Sequence, residues 1–365
     1  MALKAIPLRH GMTHGDMLKT YIGLLCLGKS DFDAVENYRK DTYFRHALDI
    51  GQVPSSASLR QRLDAQAEAY LPLAYANNID FLARAKVPIT PLKTGHVPLD
   101  MDVYPMDNSD THKEGVSRTY HGYDGYAPIG AYLGLEGWCL ANELRPGSQH
   151  SQKEFTYVLE RVLPNAKRLA GRTPILVRLD SAHDALETRG ELAKDEVDFL
   201  IKWNPRGIDP EDFMARADEL GCWEHPREGK RVAVFSETVT QVYKKKTYHF
   251  RRVIRITERT LDKHGQWMVP NIELEGWWTT LDENYDDATI IALYKDHATC
   301  EQFHSEFKTD LDLERTLMQY ASVYNHQIPQ KALGHRSPVQ ALKNWQEKRP
   351  ELFKKRVYKL TGLDT

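Results

Sequence analysis

The chain has 365 residues, 41% of them hydrophobic, which is enough to bury a full core and form one large domain with smaller appendages. No apolar run approaches the roughly 20 residues of a membrane span, and the polar start excludes a secretory signal, so we expect a cytoplasmic protein. The net charge of −2 lacks the basic excess usual in nucleic-acid-binding proteins, although cations cluster near residues 244–259 and 348–359.

The N-terminal part of the chain, residues 1–92, is predicted to be helical. Residues 17–27 and 58–63 repeat apolar side chains at helical spacing, and Gly51 and the Pro54 turn separate them. We therefore expect a region built only of helices before the main domain.

From residue 93 the pattern changes to short apolar strands, at 97–103, 127–133 and 138–144, followed by an amphipathic helix over 151–169. Residues 174–180 form a branched apolar run that ends in Asp180, and the polar turn that follows suits a helix start. Asp180 is thus predicted at the carboxyl end of a strand, the edge where ligands bind in open α/β sheets.

The second half of the predicted domain is rich in strands. Residues 200–203 form one strand, and residues 206–281 form a β-rich insertion with strands at 232–239, 248–257 and 272–280. One long helix is expected over 286–310. The fold class is therefore α/β, a mixed sheet flanked by helices.

One face of that long helix carries reactive side chains. Tyr294, His297, Glu301 and Lys308 are separated by 3, 4 and 7 residues, which places all four on one face at 3.6 residues per turn. A phenol, an imidazole, a carboxylate and an ammonium group on one face indicate either a solvated surface or a site for a charged ligand.

The spacing of these four residues resembles the Y-x2-R-x3-E-x6-K signature of the cut-and-paste DDE transposases of bacterial insertion sequences, with His297 in place of the arginine. Leu99-Asp-Met-Asp-Val, Leu144-Arg-Pro-Gly and Leu179-Asp-Ser are similar to further segments of that family. The resemblance covers residues 95–315. It implies an RNase H-like catalytic domain over 93–315 and a DNA-binding role for residues 1–92.

The resemblance further implies that Asp102, Asp180 and Glu301 are catalytic carboxylates that hold two Mg²⁺ ions, for which Mn²⁺ can substitute. Divalent cations of this kind prefer oxygen ligands, and two of them can activate an attacking hydroxyl and stabilise the leaving oxygen. Asp100 is the alternative first acid, because it lies on the same strand face as Asp102. We favour Asp102.

For DNA contacts, the resemblance implies that Tyr294, His297 and Lys308 bind the phosphates that flank the cut. Histidine cannot form a guanidinium fork, so we expect a weaker grip at His297, with compensation from Lys295. Trp277 and Trp278 lie near the family's base-stacking tryptophan, although a tryptophan pair in a strand is also typical of a core. The implied partners are double-stranded DNA, the terminal inverted repeats of the element and target DNA, held by a homodimer.

Residues 316–365 resemble a different branch, the basic C-terminal end of integrase-type insertion-sequence transposases, through the segment from Tyr324-Asn to Ser337-Pro. This indicates a fusion of two transposase genes and leaves two hypotheses. The first is a nucleoid-associated DNA transposase that cleaves and transfers strands by a metal-dependent cut-and-paste reaction. The second is a catalytically impaired, transposase-derived DNA-binding protein.

Overall fold

A nine-stranded mixed sheet forms the centre of the protein, with helices on both faces. The computed structural model describes residues 6, 11–29, 31–111, 113–262, 265–305 and 336–352. Within those ranges, no helix combines the length and apolar character needed to cross a membrane.

The N-terminal residues fold as helices with a small core of their own. Thr13 caps the first helix by accepting a hydrogen bond from the backbone N–H of Asp16. Seven buried apolar residues fill this core: Met17, Leu24, Val35, Phe44, Ile50, Val53 and Leu59. The helices are α1 (His14–Cys26), a 3₁₀ helix (Phe32–Tyr38), α2 (Thr42–Ala47), α3 (Ser56–Ala65) and α4 (Ala67–Ala85).

The remaining described elements are strands and helices, with six strands in succession before α5 and four in succession before α8. The strands are β1 (Val97–Val103), β2 (Met106–Asp107), β3 (Ser117–Arg118), β4 (Asp124–Tyr126), β5 (Ile129–Leu133), β6 (Trp138–Glu143), β7 (Ile175–Leu179), β8 (Asp198–Lys202), β9 (Trp223–Arg227), β10 (Lys230–Tyr243), β11 (Lys246–Asp262) and β12 (Gly265–Thr279). The helices are α5 (Phe155–Ala170), α6 (Leu186–Lys194), α7 (Glu211–Leu220), α8 (Asp287–Lys295), α9 (Cys300–Ser305) and α10 (Pro338–Lys348).

The order of strands in the large sheet is β6-β5-β1-β7-β8-β12-β11-β10-β9. β1 runs antiparallel to β5 and parallel to β7, and β7 runs parallel to β8. The five strands from β6 to β8 thus make a mixed sheet of three antiparallel strands followed by two parallel ones. This arrangement confirms the predicted RNase H-like fold.

Alternation along the strands divides the core between the two faces of the sheet. Leu99, Met101 and Val177 point to the face covered by α4 and α5, where α5 buries residues at i, i+3, i+4 and i+7 spacing. Leu176 and Leu200 point to the other face, against α8. The second face is the one that carries Asp100 and Asp102.

The predicted β-rich insertion extends the central sheet directly. β12 pairs antiparallel with β8, with Trp277 opposite Lys202, and β11, β10 and β9 continue outward from it. The sequence prediction missed α7 at the start of this segment. Two signals in the sequence mark this helix. Its first turn, directly after Pro210, is acidic, and Gly221 ends the helix with a φ of 61°.

The single long helix predicted over 286–310 is wrong in the described residues. α8 begins at the cap formed by Asp286, whose side chain accepts from the N–H of Thr289 at 2.7 Å, and it ends at Lys295. A 3₁₀ turn (Asp296–Thr299) separates α8 from α9. Local apolar spacing did not reveal this break. Residues 306–310, and with them Lys308, lie outside the described residues.

Candidate active site

Two aspartates meet at one edge of the sheet. Asp102 lies near the carboxyl end of β1, and Asp180 directly follows β7. The preceding residues, Met101 and Leu179, are register partners across these parallel strands, so the two aspartates are neighbours. Both side chains line a cavity of about 460 Å³. Both also line a second cavity, of about 440 Å³.

Asp100 lies in a buried ion pair, away from the cavities. It is 1% exposed, and its two carboxylate oxygens accept from Nε and Nη2 of Arg178 at 2.6 Å each. Burial raises the pKa of Asp100, but the hydrogen bonds and charges of His297 and Arg178 outweigh it and leave that pKa below its ordinary value. Asp102, by contrast, is partly exposed to the cavity.

The environments of Asp102 and Asp180 differ. Burial, followed by the charge of Asp180, raises the pKa of Asp102 to about 6. Burial acts the same way on Asp180, but His183 Nδ1, 2.7 Å from Asp180 Oδ1, and the N–H of Ala182 lower its pKa below the ordinary value. At neutral pH both carboxylates are therefore mostly ionised, and the charge of Asp102 is held at a cost that a cation in the cavity would offset.

The end of α8 and the segment that follows it supply further lining of the first cavity. Tyr294, His297 and Glu301 all line it, together with Lys295. Burial, followed by the charges of Asp180 and Asp102, raises the pKa of Tyr294, so its phenol remains a hydrogen-bond donor. Glu301 is exposed to the cavity from α9. The resemblance named these residues from spacing alone, and the fold brings them to one place.

His297 is not a free side chain. It is 7% exposed, and its Nδ1 lies 3.1 Å from Asp100 Oδ1. Arg178 binds the same carboxylate and also donates through Nη1 to the carbonyl oxygen of Leu293 at 2.9 Å. The Asp100–Arg178–His297 network therefore joins β1 and β7 to the end of α8 and to the turn before Glu301.

α9 is seated by aromatic contacts with the sheet. The ring of His304 stacks on Tyr104 at 4.4 Å between centroids, and Phe303 contacts Tyr132 at 5.3 Å. The hydroxyl of Tyr104 donates to Asn142 Oδ1 at 2.7 Å. Tyr104 thus has a packing role next to α9.

Sequence reasoning missed two cations in the first cavity. Lys202 Nζ lies 2.5 Å from Glu275 Oε1, and Arg255 also pairs with Glu275. Lys202 stands over the ring of Trp277 at 4.2 Å. The available signal was alternation, because Lys202 ends β8 on the same face as Leu200, next to the edge that carries the aspartates.

Trp277 and Trp278 belong to the core. They are 1% and 3% exposed and pack in clusters on opposite faces of the sheet. Trp277 forms part of the cavity floor, and the guanidinium groups of Arg189 and Arg252 cover Trp278 at 4.4 and 4.9 Å. The core interpretation of this pair therefore fits their positions.

The donor set around the aspartates suits a hard cation. Every hydrogen bond to Asp102 and Asp180 within the described ranges goes to Oδ1, which leaves one Oδ2 on each for a ligand. In the same part of the chain, no three His, Cys, Asp or Glu side chains lie close enough to hold one metal ion. The two aspartates are neighbours across β1 and β7, and Glu301 lines the same cavity.

A family model described as Transposase DDE domain group 1 matches residues 5–328 of this chain. No curated protein matches this chain. Among solved structures, a cryo-EM structure of the piggyBac transposase synaptic complex with hairpin DNA is similar at 11% identity and a TM-score of 0.36, covering 95% of this chain and 75% of that one.

Proposed function

The chain belongs to the Transposase DDE domain group 1 family, and we propose that it is the transposase of a bacterial insertion sequence, cutting and joining DNA strands by a metal-dependent cut-and-paste reaction. One observation carries the proposal. Asp102 and Asp180 lie at the carboxyl ends of adjacent parallel strands and line one cavity together with Glu301. We assign these three side chains as the catalytic carboxylates.

The arrangement supports divalent cations as the partners of these acids. Burial, followed by the charge of Asp180, raises the pKa of Asp102, so its ionised form lacks the compensating charge that a cation would supply. We propose that Asp102 and Asp180 hold Mg²⁺, with Mn²⁺ as a substitute, and that Glu301 completes a site for two ions. When bound, such ions polarise the scissile phosphate and lower the pKa of the attacking hydroxyl.

The remaining cavity residues are suited to grip DNA. We propose that Tyr294 donates its phenolic hydrogen to a phosphate beside the cut, and that Lys202, Arg255 and Lys295 supply positive charge around it. His297 has Nδ1 engaged with Asp100, so any phosphate contact falls to Nε2. The role of Lys308 as a phosphate ligand remains a prediction from the resemblance.

The proposed substrate is double-stranded DNA. A cut-and-paste reaction requires the terminal inverted repeats of the element and a target duplex, and two ends handled together imply a homodimer working on the cytoplasmic nucleoid. The cavity is consistent with a phosphate backbone, because cationic and hydrogen-bonding side chains surround its carboxylates.

Strand cleavage by the full chain tests this proposal. The substrate is a duplex carrying the inverted repeats that flank the gene, incubated with MgCl₂, with MnCl₂ or with EDTA. Asp180→Asn and Glu301→Gln should each abolish cleavage while leaving the protein folded, and EDTA should do the same. Asp212→Asn, an exposed aspartate on α7, is the matched control and should cleave normally.

Normal cleavage by either the Asp180 or the Glu301 variant contradicts the assignment of that carboxylate. If the unmodified chain binds the repeats in a gel-shift assay but does not cleave them with either metal, the alternative applies. The protein is then a transposase-derived DNA-binding protein that has lost catalysis.

A further inference from the structure

Tyr120 stands at the tip of an ordered hairpin turn between β3 and β4. The N–H of Thr119 donates to the carbonyl oxygen of Tyr123 at 2.8 Å, and the N–H of Gly122 donates to that of Thr119 at 3.0 Å. Gly122 has a φ of 85°, which glycine adopts without strain. These bonds fix the backbone on both sides of Tyr120, yet its side chain is 70% exposed.

The turn between β3 and β4 packs against the turn that follows β6. Ser117 Oγ accepts from the N–H of Ser148 at 2.8 Å, which joins β3 to the turn after β6. Gly147 in that turn lies so close to the carbonyl oxygens of Ser117 and Gly125 that a side chain there would overlap them. The hairpin therefore holds the backbone on both sides of Tyr120 in a fixed position.

That position is beside the two aspartates. Tyr120 lines the second cavity, which also includes Asp102 and Asp180. Partial burial, followed by the charges of Asp102 and Asp180, raises the pKa of the Tyr120 phenol to about 12.

Cations and a second ring surround Tyr120. Arg118 and Arg206 line the same cavity and are exposed. Arg118 makes only a loose pair with Asp124, at 3.6 Å between largely exposed groups. The ring of His121 lies 4.4 Å from that of Tyr120, tilted by 34°. A groove that carries two arginines and an exposed aromatic ring beside the two aspartates can hold an unpaired nucleotide, with its phosphates on the cations and its base on the ring.

We propose that Tyr120 is a stacking platform for a DNA base next to the cut, with Arg118 and Arg206 holding the adjoining phosphates. This inference rests on the proposed transposase function. The two aspartates then lie between two subsites. The first cavity binds the DNA backbone on one side of the scissile bond, and the second cavity binds a base on the other side. Trp277 and Trp278 cannot serve as this platform because both are buried.

The test is a double-mutant cycle that combines substitutions of Tyr120 with the removal of single bases from the DNA. DNA affinity is measured in the Asp180→Asn background, so that no strand is cut. The probes are the inverted-repeat duplex and a series of the same duplexes, each with one abasic nucleotide near the cut. The proteins compared carry Tyr120, Tyr120→Ala or Tyr120→Phe. Tyr157→Ala is the control, since Tyr157 is 56% exposed and lines neither cavity.

We expect Tyr120→Ala to weaken binding of the intact duplex by about 5- to 150-fold, the range that stacking on one aromatic ring provides. One abasic position should cause a similar loss with Tyr120 present and almost no further loss in the alanine variant. Tyr120→Phe keeps the ring and should bind normally, and so should Tyr157→Ala.

If the alanine and abasic losses add at every position, or if Tyr120→Ala binds as well as the control, the stacking role is wrong. Cleavage by the unmodified chain and its loss in the Asp180 and Glu301 variants are separate measurements. Failure of the Tyr120 test with normal cleavage therefore rejects the platform alone, whereas absence of cleavage rejects the proposed function.

Discussion

Replacing Asp102 with asparagine should stabilise the metal-free protein at neutral pH. Burial, followed by the charge of Asp180, raises the folded-state pKa of Asp102 from 3.8 to about 6. Because this value lies above the unfolded one, the free energy of unfolding falls as the pH rises between about 4 and about 6. At about 1.4 kcal/mol per pKa unit, the ionised aspartate destabilises the fold by up to about 3 kcal/mol at pH 7.

Urea denaturation of both proteins in EDTA, over a series of pH values, measures this effect. The two curves should converge as the pH falls below about 4, because Asp102 becomes protonated in both states, and separate as the pH rises. Above about pH 6 the asparagine variant should remain more stable by a constant amount. MgCl₂ should then stabilise the unmodified protein more than the variant, because a ligand that binds only the folded state raises its stability.

The same substitution at Asp198 is a control of opposite sign. Its hydrogen bond with His96 lowers the pKa of Asp198, so its ionised form stabilises the fold. Asp198→Asn should lower stability at neutral pH, and that difference should vanish as the pH falls through the lowered pKa. If Asp102→Asn is no more stable than the unmodified protein at pH 7 in EDTA, or if its advantage persists unchanged at pH 4, our account of the aspartate pair is wrong.

Two further substitutions test the surroundings of the site. Arg178→Met should lower the free energy of unfolding by about 3–5 kcal/mol, because it leaves the buried Asp100 carboxylate without its main partner. In urea denaturation, the double variant Arg178→Met with Asp100→Leu should recover part of this loss. An equal loss in the single and the double variant would refute the pairing. Lys295→Gln, on the exposed rim of the first cavity, should weaken DNA binding similarly for all sequences and reduce the slope of log affinity against log salt by about 0.9. An unchanged salt slope would mean that Lys295 contacts no phosphate.

Local patterns in the sequence were sufficient for the strands that build the site. The predicted strand over 97–103 matches β1, and the apolar run before Asp180 matches β7 within one residue at each end. Alternation correctly put Asp100 and Asp102 on one face. It could not separate them, because the partner that buries Asp100 is Arg178, 78 residues away in the chain.

The elements that the sequence did not reveal depend on distant contacts. The break after Lys295 lies where His297 turns toward Asp100, a contact 197 residues apart. Helical spacing over 294–308 gives no sign of it. Tyr120 has no local signature either, because an aromatic residue in a loop becomes informative only when the fold brings Asp102 and Asp180 beside it.

The bond from Arg178 to the Leu293 carbonyl bears on how this protein can move. Arg178 lies on β7, two residues before Asp180. The same segment of chain therefore binds the end of α8 and places a carboxylate in the cavity. A shift of α8 on DNA binding would have to break this buried bond or drag the strand with it. We therefore expect the sheet and α8 to respond to DNA as one rigid body. Any adjustment that brings Glu301 closer to the aspartates would then occur in the short turn between α8 and α9.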